Sequence, residues 1–174
     1  AQWARTAADL LGDEDPYRRA RAQTLEAAAW IELGPSAAIS TGPGSRRSGH
    51  LGRARQQFQA LTEFHLQRGE TYDAALQMAN VTMTYLYEGR YAPCLDAAAA
   101  ASDLFGSLQE TQRRAQAWQN RALCLWGLGR LPEALHWFER ALADLTPDPY
   151  PGIYLAANNN AALAHYALGH FDES

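Results

Sequence analysis

The chain has 174 residues, of which 47% are apolar, and its formal net charge at pH 7 is −4. The apolar fraction is sufficient for a continuous core. The negative charge argues against a nucleic-acid-binding surface, which would need a basic face. No apolar run reaches the roughly 18 residues of a membrane-spanning helix. We therefore expect neither nucleic-acid binding nor insertion into a membrane.

A fixed spacing recurs along the sequence. Glycines, large apolar residues and small residues each repeat at intervals of 40 positions. The three columns are Gly49, Gly89, Gly129 and Gly169; Leu51, Tyr91, Leu131 and Phe171; and Ala54, Cys94, Ala134 and Ser174. Columns of one chemical type in strict register indicate a tandem array of repeats.

The third copy shows what one repeat contains. Its first apolar residues are spaced 3, 4 and 3 positions apart, as on one face of a helix: Ala115, Trp118, Ala122 and Leu125. Gly129 is expected to end this helix in a left-handed conformation. Pro132 then lies in the first turn of a second helix, where its missing N–H costs nothing. Each repeat is therefore predicted to be a hairpin of a helix A and a helix B.

The same pattern divides the chain into repeats. In chain order they are the end of a helix B at 1–11, repeat 1 at 17–67, repeat 2 at 71–106, repeat 3 at 111–145 and a partial repeat 4 at 153–174. Helices A are predicted near 17–33, 71–88, 111–128 and 153–168, and helices B near 51–67, 91–106 and 131–145. Because neither end shows the polar cap that a solenoid needs, we expect the single array over 1–174 to continue on both sides.

Repeat 1 carries an insertion. Residues 18–34 match residues 113–129 at an offset of 95, which is two periods plus 15. The extra residues, 35–49, are rich in Pro, Gly and Ser, and are predicted to form a surface loop between helix A and helix B. A second interpretation is a regulatory site at Arg46-Arg47-Ser48, where a phosphate would add charge and hydrogen-bond acceptors.

The segment ALCLWGLGRLPEALHWFERAL, residues 122–142, resembles a tetratricopeptide repeat. It has that family's Gly-x-apolar-x-x-Ala turn, followed by a small–aromatic–small helix B at Ala134, Phe138 and Ala141. Trp118 matches the family's early Trp, whereas Arg121-Ala122 replaces its usual Leu-Gly. The commonest form has a period of about 34 residues. The longer period here is similar to the branch found in bacterial signalling regulators and in kinesin light chain.

The resemblance implies an all-α fold, a right-handed α-solenoid of antiparallel helix hairpins. It also implies a non-enzymatic cytoplasmic scaffold that binds a protein or an extended peptide in the concave groove of the superhelix. A second interpretation is a sensor or regulatory arm of a multidomain bacterial signalling or transcription-regulating protein, whose output domain lies outside this chain. A third is an architectural role, with self-association through uncapped ends.

Asparagines at one place in helix A suggest where a ligand would bind. Asn80, Asn120 and Asn160 lie 40 residues apart. At 100° per residue they are about 140° from the face that packs on helix B, so they are predicted to face the groove. An amide can pair with both polar groups of a peptide backbone. The predicted groove consists of Leu76, Asn80, Met83, Tyr87, Gln116, Asn120, Leu123, Trp126, Asn160, Leu163 and Tyr166.

Two observations keep the function of these amides open. Kinesin-light-chain-like repeats are similar in carrying an Asn at this place, which that resemblance connects with cargo-peptide binding. The alternative is that each Asn bonds polar atoms of a neighbouring helix, as buried amides commonly do. Leu25 occupies the equivalent position in repeat 1 and interrupts the series.

The remaining candidate residues point to packing and not to chemistry. Cys94 and Cys124 are too few for a disulfide framework and are predicted to be small core residues in a reducing compartment. The histidines lack metal-ligand spacing, and His165 is predicted to be a partly buried core residue. Arg113-Arg114 is predicted to lie on a solvated face, and a second interpretation is that the pair anchors an acidic ligand. No acid, base and nucleophile can be assembled, so no enzymatic activity, cofactor or metal is predicted.

Overall fold

The computed structural model of the chain describes residues 45–148 and 151–169. Within these ranges all regular structure is α-helical: α1 Ser45–Gln67, α2 Thr71–Glu88, α3 Tyr91–Ser107, α4 Thr111–Gly127, α5 Leu131–Asp144 and α6 Pro151–Leu168. The predicted all-α fold class is confirmed. The predicted helix near 17–33 and the segments 1–11 and 171–174 lie outside the described residues. In the part of the chain that the structure describes, no helix is both long and apolar enough to cross a membrane.

The chain divides into two compact units, residues 1–88 and 89–174. In the first unit α1 packs against α2. The buried apolar residues of α1 follow the 3 and 4 spacing of one helical face: Leu51, Ala54, Phe58 and Leu61. In the second unit each helix packs against the next, α3 on α4, α4 on α5 and α5 on α6. Consecutive packing of this kind is the arrangement of an α-solenoid built from helix hairpins.

Two core clusters hold the second unit together. Both combine residues of α4 and alanines of α6 with residues of α5 or of the position just after it. One consists of Ala122, Leu125, Ala134, Leu135, Phe138, Ala161 and Ala164. The other consists of Ala115, Trp118, Ala141, Leu145 and Ala157. Because alanines supply most of the α6 contribution, α6 lies close to the larger side chains of its neighbours.

Three of the four periodic glycines have the expected conformation. Gly89, Gly129 and Gly169 have φ of 71°, 75° and 78°, in the left-handed region that glycine adopts without strain. Gly49 instead lies inside α1. The left-handed helix end predicted at Gly129 is therefore confirmed, and Gly89 and Gly169 follow their helices in the same conformation.

The predicted loop at 35–49 is wrong over residues 45–49, because α1 begins at Ser45. Arg46 and Arg47 are good helix formers. Once the buried face that starts at Leu51 has formed a helix, adding residues at its N-terminal end costs little. The backbone of Arg46-Arg47-Ser48 is thus helical, and residues 35–44 lie outside the described residues.

Cys94 and Cys124 form a disulfide between α3 and α4. Both are fully buried, as predicted, but the prediction of two unlinked core cysteines is wrong. The reason lies in the repeat, because small buried residues occupy the same two positions in the neighbouring copies: Ala54 with Thr84, and Ala134 with Ala164. Small side chains let the two backbones approach, and the Cα atoms of the cysteines are 5.9 Å apart, as a disulfide requires. Since disulfides persist in oxidising compartments, the cysteines no longer argue for a reducing one.

Ion pairs flank the helices of the second unit. Arg130 donates two hydrogen bonds of 2.6 Å to Glu133 in the first turn of α5. This bonding lowers the pKa of the Glu133 carboxyl and raises the pKa of the Arg130 guanidinium. His165 Nε2 of α6 lies 3.4 Å from Glu139 Oε1 of α5, and the half-buried position predicted for His165 is confirmed. Exposed pairs such as Arg130 and Glu133 contribute little stability.

Candidate functional site

The predicted groove residues of the first unit lie on α2. Leu76, Asn80 and Met83 are half-buried, and Tyr87 is 41% exposed. The Asn80 amide nitrogen lies 3.5 Å from Gln77 Oε1, at the outer limit of a hydrogen bond. Asn80 is thus weakly held by its own helix.

The predicted residues of α4 divide into two groups. Gln116 and Asn120 are half-buried, and the Gln116 carbonyl accepts a hydrogen bond of 3.1 Å from Arg113 Nη1. Leu123 and Trp126 pack against the core cluster that contains Phe138. These two large side chains therefore contribute to the core as well as to the predicted stripe.

The corresponding residues of α6 are the most accessible. Asn160 is half-buried, whereas Leu163 is 57% exposed and Tyr166 is 69% exposed. Two exposed large apolar side chains thus follow the amide along α6, Leu163 at the 3-residue spacing predicted for the stripe and Tyr166 beside it.

The hydrogen bonds of the asparagines distinguish two kinds of residue. The Asn158 amide donates a hydrogen bond of 3.0 Å to the Tyr154 carbonyl of its own helix. The side chains of Asn120 and Asn160 have no hydrogen bond to any described residue. The alternative was that each Asn bonds a neighbouring helix. In the described part of the chain, Asn120 and Asn160 form no such bond.

One end of the α4 stripe is covered by an aromatic ring. The ring of Tyr91, the first residue of α3, lies directly on the backbone of Gly127, the last residue of α4. A Cβ atom on Gly127 would overlap the ring atoms Cδ1 and Cε1. In the other two copies the equivalent of Gly127 is Tyr87 or Ala167, so glycine occurs where helix B begins with a tyrosine.

We expect Gly127→Ala to destabilise the chain by about 1–3 kcal/mol, because the added methyl group displaces the Tyr91 ring. Helix propensity alone predicts the opposite, a gain of about 1 kcal/mol. Urea unfolding of both chains decides between them. Adding Tyr91→Leu, the residue found at Leu51 and Leu131, should restore stability, and a Gly127→Ala chain more stable than the parent would contradict the ring contact.

A cluster of arginines and tryptophans was not predicted. The guanidinium carbons of Arg114 and Arg140 lie 4.8 and 4.3 Å from the ring centroid of Trp118, and that of Arg121 lies 4.1 Å from the ring centroid of Trp137. Such contacts are stabilised by the ring quadrupole. The i, i+4 spacing of Arg114 and Trp118 is the feature of the sequence from which this contact could have been predicted.

The prediction that Arg113-Arg114 lies on a solvated face is wrong. Both residues are half-buried within α4. Arg114 also bonds Asp144 Oδ2 of α5 at 3.2 Å. The aliphatic stem and planar head of arginine can cover an aromatic ring while the charge reaches a carboxylate.

The hairpins define the chain as an all-α protein with a repeated helical unit. Residues 115–144, which run from the second turn of α4 to the end of α5, match the model of the tetratricopeptide repeat family. A search of curated proteins found no match. Residues 115–144 are thus similar to a tetratricopeptide repeat, a unit that commonly mediates protein–protein interaction.

Proposed function

We propose that this chain is a non-enzymatic scaffold that binds an extended polypeptide through the asparagine-bearing stripes of its helices A. In the second unit the stripe consists of Gln116, Asn120 and Leu123 on α4 and of Asn160, Leu163 and Tyr166 on α6. The observation that carries the proposal is the pair of amides, Asn120 and Asn160, that bond no described residue.

The chemistry of the stripe suits a peptide backbone. Each Asn has a carbonyl acceptor and two N–H donors, so it can pair with both the N–H and the C=O group of an extended segment. Such bonds hold a segment whatever its side chains are. Leu163 and Tyr166 would add contacts with apolar side chains, because they are 57% and 69% exposed.

The packing of the site favours binding at low cost. Asn120 and Asn160 lie on helices that share core clusters with α5, so their backbones are already fixed before a ligand arrives. Preorganisation of this kind reduces the ordering cost of association. The similarity of residues 115–144 to a tetratricopeptide repeat is consistent with a protein or peptide ligand.

The test is a display selection of disordered peptides on the chain, followed by affinity measurements with Asn120→Ala/Asn160→Ala. Loss of two hydrogen bonds to the ligand should weaken binding by about tenfold or more, since each contributes about 1 kcal/mol. Asn159→Ala is the matched control, because Asn159 is exposed on the same helix but outside the stripe. Circular dichroism should show all chains equally folded.

Two results would contradict the proposal. If no peptide is enriched on a folded chain, the stripe is not a general peptide reader. If the selected peptides bind Asn120→Ala/Asn160→Ala as tightly as the parent chain, a binding surface exists but these amides do not form it.

A further inference from the structure

The turn between α1 and α2 brings an imidazole and two carboxylates together. His65 near the end of α1, Glu70 before α2 and Asp73 in the first turn of α2 each offer one ligand atom, and these atoms lie within 4.8 Å of one another. His65 is only 6% exposed, and its Nδ1 lies 2.7 Å from Glu70 Oε2. Glu70 and Asp73 are half-buried, so the group is open to solvent on the carboxylate side.

Backbone hydrogen bonds fix this turn. The N–H groups of Arg68 and Glu70 donate to the His65 carbonyl at 3.2 and 2.9 Å. Gly69 supplies the left-handed residue, with φ of 73°. These bonds satisfy the His65 carbonyl near the end of α1 and hold Glu70 beside the imidazole.

The second unit contains the same turn with different side chains. Between α3 and α4, Leu108 and Glu110 donate to the Phe105 carbonyl at 3.2 and 3.0 Å, and Gln109 has φ of 59°. One period of 40 residues separates each residue from its equivalent. Phe105 therefore stands in the place of His65, and Arg113 stands in the place of Asp73.

This comparison separates what the turn needs from what it does not. Glu70 and Glu110 are the same in both copies, and the backbone bonds are formed with either His65 or Phe105. The turn therefore needs neither a buried imidazole nor a second carboxylate. Replacing a cation by Asp73 also places two acidic groups close together, and like charges disfavour each other's ionised form.

We propose that His65, Glu70 and Asp73 bind a divalent transition-metal ion of the Zn²⁺ class. Imidazole nitrogen and carboxylate oxygen are both zinc ligands, and three protein ligands leave a position for water. The mixed nitrogen and oxygen set favours such an ion over Mg²⁺ or Ca²⁺, which prefer oxygen alone.

A metal ion at this site would compete with Arg68 for the carboxylate of Glu70. The Arg68 Nε lies 2.8 Å from Glu70 Oε1, and the Arg68 side chain is 42% exposed. A long exposed side chain can move into solvent at little cost, because surface ion pairs are weak.

The experiment is a titration of the full chain, with its disulfide intact, by Zn²⁺ in a calorimeter and by Co²⁺ in an absorption spectrometer. We expect one ion per chain and Co²⁺ ligand-field bands typical of nitrogen and oxygen ligation. His65→Phe and Asp73→Arg copy the residues of the second unit, so the turn should still form. Each should weaken binding by at least about tenfold, since even groups that only hydrogen-bond to a metal ligand contribute about that much.

A matched control and a measurement on the parent chain complete the test. His136→Ala removes an exposed histidine of α5 and should leave the affinity unchanged. In nuclear magnetic resonance spectra of the parent chain, Zn²⁺ should shift the imidazole signals of His65 more than those of His136. No binding by the folded parent chain, equal binding by His65→Phe and Asp73→Arg, or a shift confined to other histidines would each overturn the proposal.

Discussion

Reduction of the disulfide between Cys94 and Cys124 is expected to lower the free energy of unfolding by about 3 kcal/mol. The two cysteines are separated by 30 positions. Closing a loop of that length in the unfolded chain removes conformational entropy worth about 3–4 kcal/mol in the chain-entropy model. Because both residues are fully buried, a reductant should act slowly on the folded chain and quickly on the unfolded one.

Urea unfolding of the oxidised and reduced chains measures this effect. Cys94→Ala/Cys124→Ala is a useful third chain, because it copies the Ala134 and Ala164 pair of the next copy. It should resemble the reduced chain in its urea midpoint. Thiol titration in denaturant gives an independent check, since the chain has two cysteines and the oxidised form should show no free thiol. Equal midpoints with and without reductant would contradict the stabilising role.

Phe138→Ala is expected to cost about 3–5 kcal/mol of unfolding free energy, towards the upper end of that range. Phe138 is fully buried and lies in the cluster that joins α4, α5 and α6. Four of its six partners in the cluster are alanines: Ala122, Ala134, Ala161 and Ala164. Alanine has no side-chain rotamer that could move into the space, so the cavity should collapse poorly.

The measurement is again urea unfolding, with His136→Ala as the control on the same helix. His136 is exposed, and its replacement should change stability by no more than about 0.5 kcal/mol. Phe138→Leu should lose less than Phe138→Ala, because it leaves a smaller cavity. A loss below about 1 kcal/mol for Phe138→Ala, at an unchanged denaturant slope, would show that the cluster rearranges to fill the space.

Most helix positions followed from local signals in the sequence. The glycines at the ends of helices and the 3 and 4 spacing of apolar residues predicted α2 with its observed bounds, Thr71–Glu88. They also predicted the start of α5 at Leu131, where Pro132 fits the first turn. The start of α1 was missed because the periodic apolar pattern of the sequence begins only at Leu51, and helix extension before it depends on propensity.

The contacts between helices could not be predicted in the same way. The disulfide depends on how closely the backbones of α3 and α4 approach, and a separation of 30 positions in sequence does not specify that distance. The same is true of Arg140 over Trp118, which join α5 to α4. The histidines were judged by sequence spacing and Asp73 was not considered, because spacing does not show which groups a tight turn brings together.

For the candidate stripe, helical geometry predicted directions but not exposure. It placed Asn120 and Asn160 away from the face that packs on helix B. It could not distinguish Trp126, which packs on the Phe138 cluster, from Tyr166, which is 69% exposed. That difference depends on which neighbouring side chains cover each residue, and these belong to other helices.

The cross-link between α3 and α4 also determines how the chain responds to mechanical tension. A pulling force that enters at Cys94 passes through the sulfur–sulfur bond to Cys124, so residues 95–123 carry none of it. At about 3.4 Å per residue, about 100 Å of contour length cannot be extended while the bond is intact. Gln116, Asn120 and Leu123 belong to this shielded loop. The α4 stripe is thereby protected from a load that stretches the chain on either side of it.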